Sequence, residues 1–213
     1  DTNPDVYSSE PTIGIVDTFQ ELTLPSFIAM DRPKHEQQRR VVQPVVAPAN
    51  LKNLEPLIRK RVNGILDGLP VEETFDWVTS VSIELTTQML ATLFDFPFED
   101  RGKLTYWSDM ATSIPGRGIA KSHRERWQVI QECLVYFTRL WNERFDTEPG
   151  FDLISMLAHG ESTKGMPPEE LLGNLLLLIV GGNDTTRNSI TGGVVALNEN
   201  LEEYEKLRNS TSL

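Results

Sequence analysis

The sequence predicts a mainly α-helical protein, and three observations point to this fold class. Apolar residues recur at every third or fourth position through several long segments, which is the period of a helix with one buried face. Proline and glycine residues lie between these segments, where helices begin and end. Residues 167–170 read Pro-Pro-Glu-Glu, and proline with acids in a first turn predicts the start of a long helix.

The elements follow in chain order. Residues 1–28 contain several prolines and little periodicity, so they are predicted to form a loop with a short strand at 13–16. Pro33 suits the first position of the first helix. The predicted helices are residues 34–43, 51–69, 78–93, 99–112, 127–141, 152–159, 167–199 and 201–208.

Length and composition limit the classes of protein that fit. The 213 residues predict a single domain spanning 1–213, and 39% hydrophobic residues can build a core. The chain starts without Met and closes directly after a helical pattern, so we expect a fragment of a longer domain. The net charge of −11 disfavours a nucleic-acid binder, which usually carries a basic surface.

Cysteine content and hydropathy indicate a compartment. Cys133 is the one cysteine in the sequence, so no intramolecular disulfide is possible, which fits a reducing compartment. The longest apolar run, residues 175–180, is far short of the ~20 residues that span a bilayer. We therefore expect a cytoplasmic protein without a transmembrane segment.

The predicted helix 167–199 contains residues that weaken helices at its centre. Residues 181–186 read Gly-Gly-Asn-Asp-Thr-Thr, and a second glycine pair follows at 192–193. Each interior Gly costs about 1 kcal/mol relative to Ala, and Asn, Asp and Thr side chains compete for backbone hydrogen bonds. Such a conflict indicates either a functional site or close helix packing over small residues. Under the packing hypothesis, Asp184 pairs with Arg187 on the surface.

Two segments resemble a known family. Residues 181–186 resemble the oxygen-activation signature of the cytochrome P450 haem-thiolate monooxygenases: a glycine pair, any residue, an acid and two hydroxyl residues. Residues 30–40 read Met-Asp-Arg-Pro-Lys-His-Glu-Gln-Gln-Arg-Arg and resemble the bacterial family's Met-Asp-x-Pro-x-His stretch, with Arg four residues further on. The resemblance covers essentially the whole chain. It implies the middle helical portion of the cytochrome P450 fold, with a long central helix near 167–199. Residues 27–31, 77–93 and 181–188 are most similar to the soluble bacterial terminal alkane and fatty-acid hydroxylases of the family.

The first motif implies a haem-binding role for two residues. In the family, its His and Arg bind the haem propionates, which here would be the role of His35 and Arg39. They are four residues apart and so share a helix face, as binding two carboxylates requires. The alternative for His35 is capping of the helix N-terminus with a solvent-facing ring.

The second motif implies the catalytic residues. Asp184 and Thr185 match the acid–alcohol pair that delivers protons for cleavage of the O–O bond. Gly181 and Gly182 would leave room for O₂ and substrate over the haem.

The family's iron ligand is expected to be absent from this chain. That ligand is a cysteine thiolate near the far C-terminus of family members, whereas Cys133 lies mid-helix between apolar neighbours and is predicted to be a core residue. No metal site is expected either. Residues 35–39 read His-Glu-Gln-Gln-Arg, a near miss for the zinc motif His-Glu-x-x-His, and His123 and His159 lack ligand spacing.

The resemblance therefore implies a haem-dependent monooxygenase that hydroxylates unactivated C–H bonds of alkanes or fatty acids, present as an inactive fragment. The alternative is a non-catalytic, all-helical binding or scaffolding domain whose glycines serve packing alone. A metal hydrolase is a weaker third hypothesis, because metal-ligand spacing is missing.

Substrate and partners follow from the same resemblance. A small aliphatic substrate and O₂ are expected in a pocket whose candidate walls are Phe27, Ile28, Met30, Met110, Ile114 and Leu178. A ferredoxin-type electron donor is expected, and Arg40 could serve its docking. The alternative for Arg40 is a solvated helix face.

Overall fold

Eight α-helices follow one another in the computed structural model, which describes residues 3–13 and 24–210. They are α1 (Lys34–Val42), α2 (Pro48–Asp67), α3 (Glu84–Phe94), α4 (Gly102–Thr112), α5 (His123–Phe145), α6 (Leu153–His159), α7 (Pro168–Glu199) and α8 (Leu201–Asn209). Short 3₁₀ turns lie at Phe27–Ala29, Gln43–Val46 and Phe98–Asp100. No strand occurs in these described ranges, so the mainly α prediction is confirmed. Apart from Ile13, the strand predicted at 13–16 lies outside them.

Most predicted helices occur within a few residues of their expected bounds. The clearest extension is α2, which begins at Pro48 because proline is well suited to a first helical position, and which then accommodates Pro56 in its interior. The predicted helix 78–93 opens with a π-helical segment, Val78–Ile83, before α3 continues it. Asp95 ends α3 in the left-handed conformation, with φ 45°.

Side-chain caps fix the starts of two helices. Ser122 accepts a hydrogen bond from the backbone N–H of Glu125 at 3.1 Å, which begins α5. Asp152 accepts one from the backbone N–H of Ser155 at 2.9 Å, which begins α6. These caps satisfy backbone donors that a first helical turn leaves without a partner.

The core lies between α3, α4, α5, α6 and the first half of α7. An aromatic cluster forms one end of it, where the Phe94 and Phe137 rings are 5.6 Å apart and Phe96 stacks on Tyr136 at 4.9 Å. Cys133 is fully buried in α5, so the prediction of a core residue is confirmed. Burial raises the pKa of its thiol well above the usual range, which keeps the sulfur protonated and inert.

Helix α7 passes through this core and then leaves it. Its N-terminal half is buried from Glu170 to Leu176, whereas Gly181 and Thr185 are exposed. The helix stays continuous through residues 181–186, so the prediction of one long element is confirmed. Within the described part of the chain, no helix combines the length and apolar character that crossing a membrane requires.

Candidate functional site

An open strip of backbone lies on the exposed side of α7. A Cβ built on Gly181 would meet nothing within 4 Å. One turn later, the Thr185 hydroxyl donates a hydrogen bond to the Gly181 carbonyl oxygen at 2.7 Å. This face, defined by Gly181 and Thr185, therefore combines an accessible backbone with a hydroxyl whose lone pairs remain available.

The neighbouring glycine faces the protein instead. A Cβ on Gly182 would lie 2.7 Å from Cδ2 of Leu90, a core residue of α3. A side chain at this position would have to displace Leu90, so Gly182 permits the close packing of α7 on α3. Of the two glycines, Gly182 therefore permits helix packing, whereas Gly181 leaves open space beside the helix.

Asp184 belongs to a group of three charges between α4 and α7. The Arg187 guanidinium contacts Asp184 on its own helix and donates to Asp109 Oδ1 of α4 at 3.1 Å. The Arg187 side chain is 14% exposed, and that of Asp184 is 33% exposed. Burial opposes the charge on Arg187, but its hydrogen bonds to the two carboxylates outweigh burial and raise its pKa. The Asp184–Arg187 pair is the contact expected under the packing hypothesis, yet it leaves the carboxylate in contact with solvent.

Helix α1 places His35 and Arg39 one turn apart. The His35 ring is half-buried, and its Nδ1 lies 2.7 Å from the Phe27 carbonyl oxygen. The two rings also meet edge to face, with centroids 6.2 Å apart. The capping alternative is wrong, because Pro33 holds the N-cap position and no side chain caps α1.

The cations of this segment differ in their partners. Arg32 pairs with Glu36 at 2.7 Å, and Lys34 pairs with Glu170 of α7 at 2.8 Å. Within residues 3–13 and 24–210, the exposed Arg39 and Arg40 side chains form neither a hydrogen bond nor an ion pair. Arg39 is therefore free to receive an anion beside His35.

A buried polar network that sequence reasoning missed joins α1 to α7. Gln38 Nε2 donates to Glu170, and Asn174 Nδ2 donates to Gln38 Oε1 at 2.9 Å. Asn174 Oδ1 then accepts from the backbone N–H of Phe27 at 2.8 Å. The available signal was the polar pair Glu170 and Asn174, one turn apart within an apolar run of α7. This network sets the position of His35 and Arg39 relative to α7.

The candidate substrate walls are distributed over several environments. Phe27, Met30 and Met110 are core residues, exposed by 8%, 7% and 1%. Ile28 and Ile114 are exposed by 38% and 65%, and Leu178 is partly buried against the core. A cavity of about 600 Å³ between α2 and α3 is lined by none of these six residues. The structure therefore brings the Gly181–Thr185 face and Asp184 together but does not gather the six walls around that cavity.

Known proteins share this arrangement of helices. A scan against models of protein families finds no match. Linalool 8-monooxygenase of Pseudomonas putida is 30% identical over 207 residues, which cover 96% of this chain and 50% of that protein. Methyl-branched lipid omega-hydroxylase of Mycobacterium tuberculosis is 28% identical over 96% of this chain and 49% of its own length. Cytochrome P450-153 from Novosphingobium aromaticivorans is 45% identical, with a TM-score of 0.79 over 93% of this chain and 49% of that structure.

The chain spans about half the length of the relatives that it matches. Across that half, the all-helical chain has the fold of the Novosphingobium aromaticivorans structure. The chain belongs to the cytochrome P450 family.

Proposed function

We propose that the chain is the distal-side and propionate-binding part of a haem-dependent monooxygenase, which hydroxylates unactivated C–H bonds of aliphatic substrates. The observation that carries the proposal is the open Gly181–Thr185 face, which lies on the same helix as a solvent-contacting carboxylate, Asp184. Gly192 of the same helix is equally open, so the support comes from the combination of the open backbone at Gly181 with the Thr185 hydroxyl and the Asp184 carboxylate.

The residues present fit haem, which is flat and carries two carboxylates. A flat group can approach Gly181 because no side chain occupies the space beside it. His35 and Arg39 would hold the propionates through charge-assisted hydrogen bonds, since Arg39 has no other partner in the described ranges. Bound haem supplies the iron that activates O₂ for insertion into a C–H bond.

The chain's own contribution is to hold and move protons. The Thr185 hydroxyl donates to the Gly181 carbonyl and can accept a hydrogen bond from a water molecule at the open face. Asp184, one-third exposed, exchanges protons with solvent and passes them to that water. Arg187 donates a hydrogen bond to the Asp184 carboxylate and so orients it.

The iron ligand is proposed to lie outside these 213 residues. Cys133 is buried in α5, and burial keeps its thiol protonated, so it suits the core and not a haem iron. The chain alone is accordingly proposed to be inactive, and a cytoplasmic location fits its single cysteine.

The substrate class is proposed to be alkanes or fatty acids. The name of the mycobacterial relative, a lipid omega-hydroxylase, supports this class. Phe27, Ile28, Met30, Met110, Ile114 and Leu178 remain the proposed walls, because apolar side chains suit an aliphatic chain. We also propose a ferredoxin-type donor that docks near Arg40, an exposed cation without an ion pair in the described ranges.

The test compares Thr185→Ala with Ser189→Ala in the full-length enzyme that contains this segment. Ser189 makes the same kind of bond one turn later, from its hydroxyl to the Thr185 carbonyl at 2.8 Å. We expect Thr185→Ala to keep substrate binding and consumption of reduced cofactor. Product per cofactor oxidised should fall about tenfold, with hydrogen peroxide released instead, because the proton is no longer delivered correctly. Ser189→Ala should leave this ratio unchanged.

The alternative function gives the opposite result. If the helix serves only packing in a scaffolding domain, Thr185→Ala introduces a better helix former and changes stability alone. If Thr185→Ala gives the same product yield and the same peroxide yield as the parent enzyme, Thr185 has no catalytic role.

A further inference from the structure

The backbone N–H of Phe27 is held by α7, and the backbone carbonyl of the same residue is held by α1. The backbone N–H of Phe27 donates to Asn174 Oδ1 at 2.8 Å, and this bond is buried. The Phe27 carbonyl oxygen lies 2.7 Å from His35 Nδ1. Asn174 of α7 is therefore connected to the His35 ring of α1 through a single residue.

Groups that can only accept or only donate fix the direction of each hydrogen bond in this chain. Glu170 accepts from the Gln38 amide nitrogen, which leaves Gln38 Oε1 to accept from Asn174 Nδ2. Asn174 Oδ1 is then left to accept from the Phe27 N–H. The Phe27 carbonyl can only accept, so His35 Nδ1 must carry a proton.

A neutral imidazole has one N–H, so a proton on Nδ1 leaves Nε2 as the ring's free acceptor. No hydrogen bond of His35 Nε2 occurs within the described residues. A carboxylate at Nε2 is then held by a hydrogen bond only from the imidazolium form, in which both nitrogens donate.

We propose that Asn174 is a positioning residue for His35. Acting through the Phe27 backbone, it fixes the His35 ring in one orientation with a proton on Nδ1, and it leaves Nε2 as the nitrogen from which the imidazolium form would donate to a haem carboxylate. The carboxylate part rests on the proposed function, whereas the tautomer is a property of the chain without haem. Asn174 suits this role because it is fully buried and its amide nitrogen is already bonded to Gln38.

The experiment measures the ¹⁵N resonances of the His35 ring in the haem-free form of the full-length enzyme that contains this segment, above the pH range in which imidazoles ionise; this protein is the parent chain of the variants. The parent chain should show a protonated Nδ1 and an unprotonated Nε2. Asn174→Leu removes the acceptor for the Phe27 N–H, so the two resonances should move toward each other as the ring samples both tautomers. Asn174→Asp keeps an oxygen acceptor and should retain the parent pattern.

Gln38→Met is the matched control. It removes the bonds to Asn174 and Glu170 but keeps the path from Asn174 through Phe27 to His35. It should lower the melting temperature without moving the ring resonances. If Asn174→Leu does not fold by circular dichroism, Asn174→Ala removes the same acceptor with less bulk.

Two results would overturn the positioning role. One is a parent chain with the proton mainly on Nε2, and the other is an equal change in Asn174→Leu and Gln38→Met. A haem titration of the same variants separates this proposal from the proposed function. Asn174→Leu should bind haem about tenfold more weakly than Gln38→Met, as loss of a supporting hydrogen bond does at other cofactor sites. No haem binding by any variant, with the ring resonances as expected, would contradict the proposed function and leave the positioning role standing.

Discussion

Gly181 and Gly182 are neighbours, yet a methyl group added to each would meet different surroundings. Beside Gly181 there is space, whereas beside Gly182 the Cδ2 atom of Leu90 is 2.7 Å from the ideal Cβ position. Leu90 is only 2% exposed, so it has little freedom to move away. The helix propensity of the two positions is the same, which makes them a matched pair for separating packing from function.

We expect Gly181→Ala to raise the free energy of unfolding by up to about 1 kcal/mol, because alanine is the better helix former. Gly182→Ala should be less stable than Gly181→Ala by about 1–3 kcal/mol, since Leu90 must be displaced. Denaturant titration of both variants measures the difference. The same Gly181→Ala variant should bind haem more weakly than the parent chain. An equally stable pair, or unchanged haem binding in Gly181→Ala, would contradict the assignment of the open face.

At the scale of the element, α7 depends on a glycine that the two motifs do not include. A Cβ on Gly173 would lie 2.0 Å from the Pro25 carbonyl oxygen, which belongs to the loop before Phe27. The loop approaches α7 so closely that no side chain fits between them. The same approach brings the Phe27 N–H to Asn174, one residue along α7.

Gly173→Ala should therefore destabilise the chain by about 2 kcal/mol or more, because backbone cannot move aside as a flexible side chain can. Gly192→Ala is the control in the same helix, where a Cβ meets nothing within 4 Å, and it should be neutral or stabilising by up to about 1 kcal/mol. Thermal melts of the two variants measure this difference in stability. If Gly173→Ala has the same melting temperature as the parent chain, the loop is not held against α7.

The helical spacing of apolar residues and the positions of proline and glycine predicted the helices but not the contacts between them. The apolar stripes located α2, α3 and α5, since burying one face requires apolar residues at that spacing, and prolines indicated where α1 and α7 begin. The π-helical turn at Val78–Ile83 shifts the hydrogen-bond register without changing the composition, so nothing in the sequence predicted it. The partners of Asn174 lie on separate parts of the chain, and only the folded structure shows which polar residues meet.

The candidate site also combines features that the sequence predicts with features that only the structure shows. Residues 181–186 stood out because they conflict with helix propensity, and in the structure Gly181 and Thr185 lie on an open face of α7 while Asp184 pairs with Arg187. The role of Gly182 in packing required the position of Leu90. The substrate walls had no motif, and apolarity alone could not distinguish core residues such as Met110 from exposed ones such as Ile114.

For the molecule as a whole, alkaline pH acts through the aromatic end of the core. Burial, followed by the hydrogen bond from the Tyr136 hydroxyl to Asp100 at 2.6 Å, raises the pKa of Tyr136 to about 12. In the unfolded chain the pKa of a tyrosine is about 10. Because the folded value is the higher one, the stability that Tyr136 contributes is complete below pH ~10 and is lost as the pH rises toward ~12.

Comparison with Tyr136→Phe isolates this effect, because phenylalanine keeps the ring and removes the titrating group. Between pH ~10 and ~12, the melting temperature of the parent chain should fall more steeply than that of Tyr136→Phe. Both chains contain every other ionisable group, so the difference between their melting curves reports Tyr136. Parallel curves through this range would show that Tyr136 ionises no differently in the folded chain.

Because the Gly181–Thr185 face is exposed, substitutions there would be tolerated differently under a selection for folding and under a selection for turnover. A selection for folding alone, such as resistance to protease, would accept most substitutions at Thr185, because little of the chain's stability depends on that side chain. A selection for turnover would accept few of them. The positions at which these two tolerance profiles diverge would outline the reaction site, and at Gly182, against Leu90, the profiles should coincide.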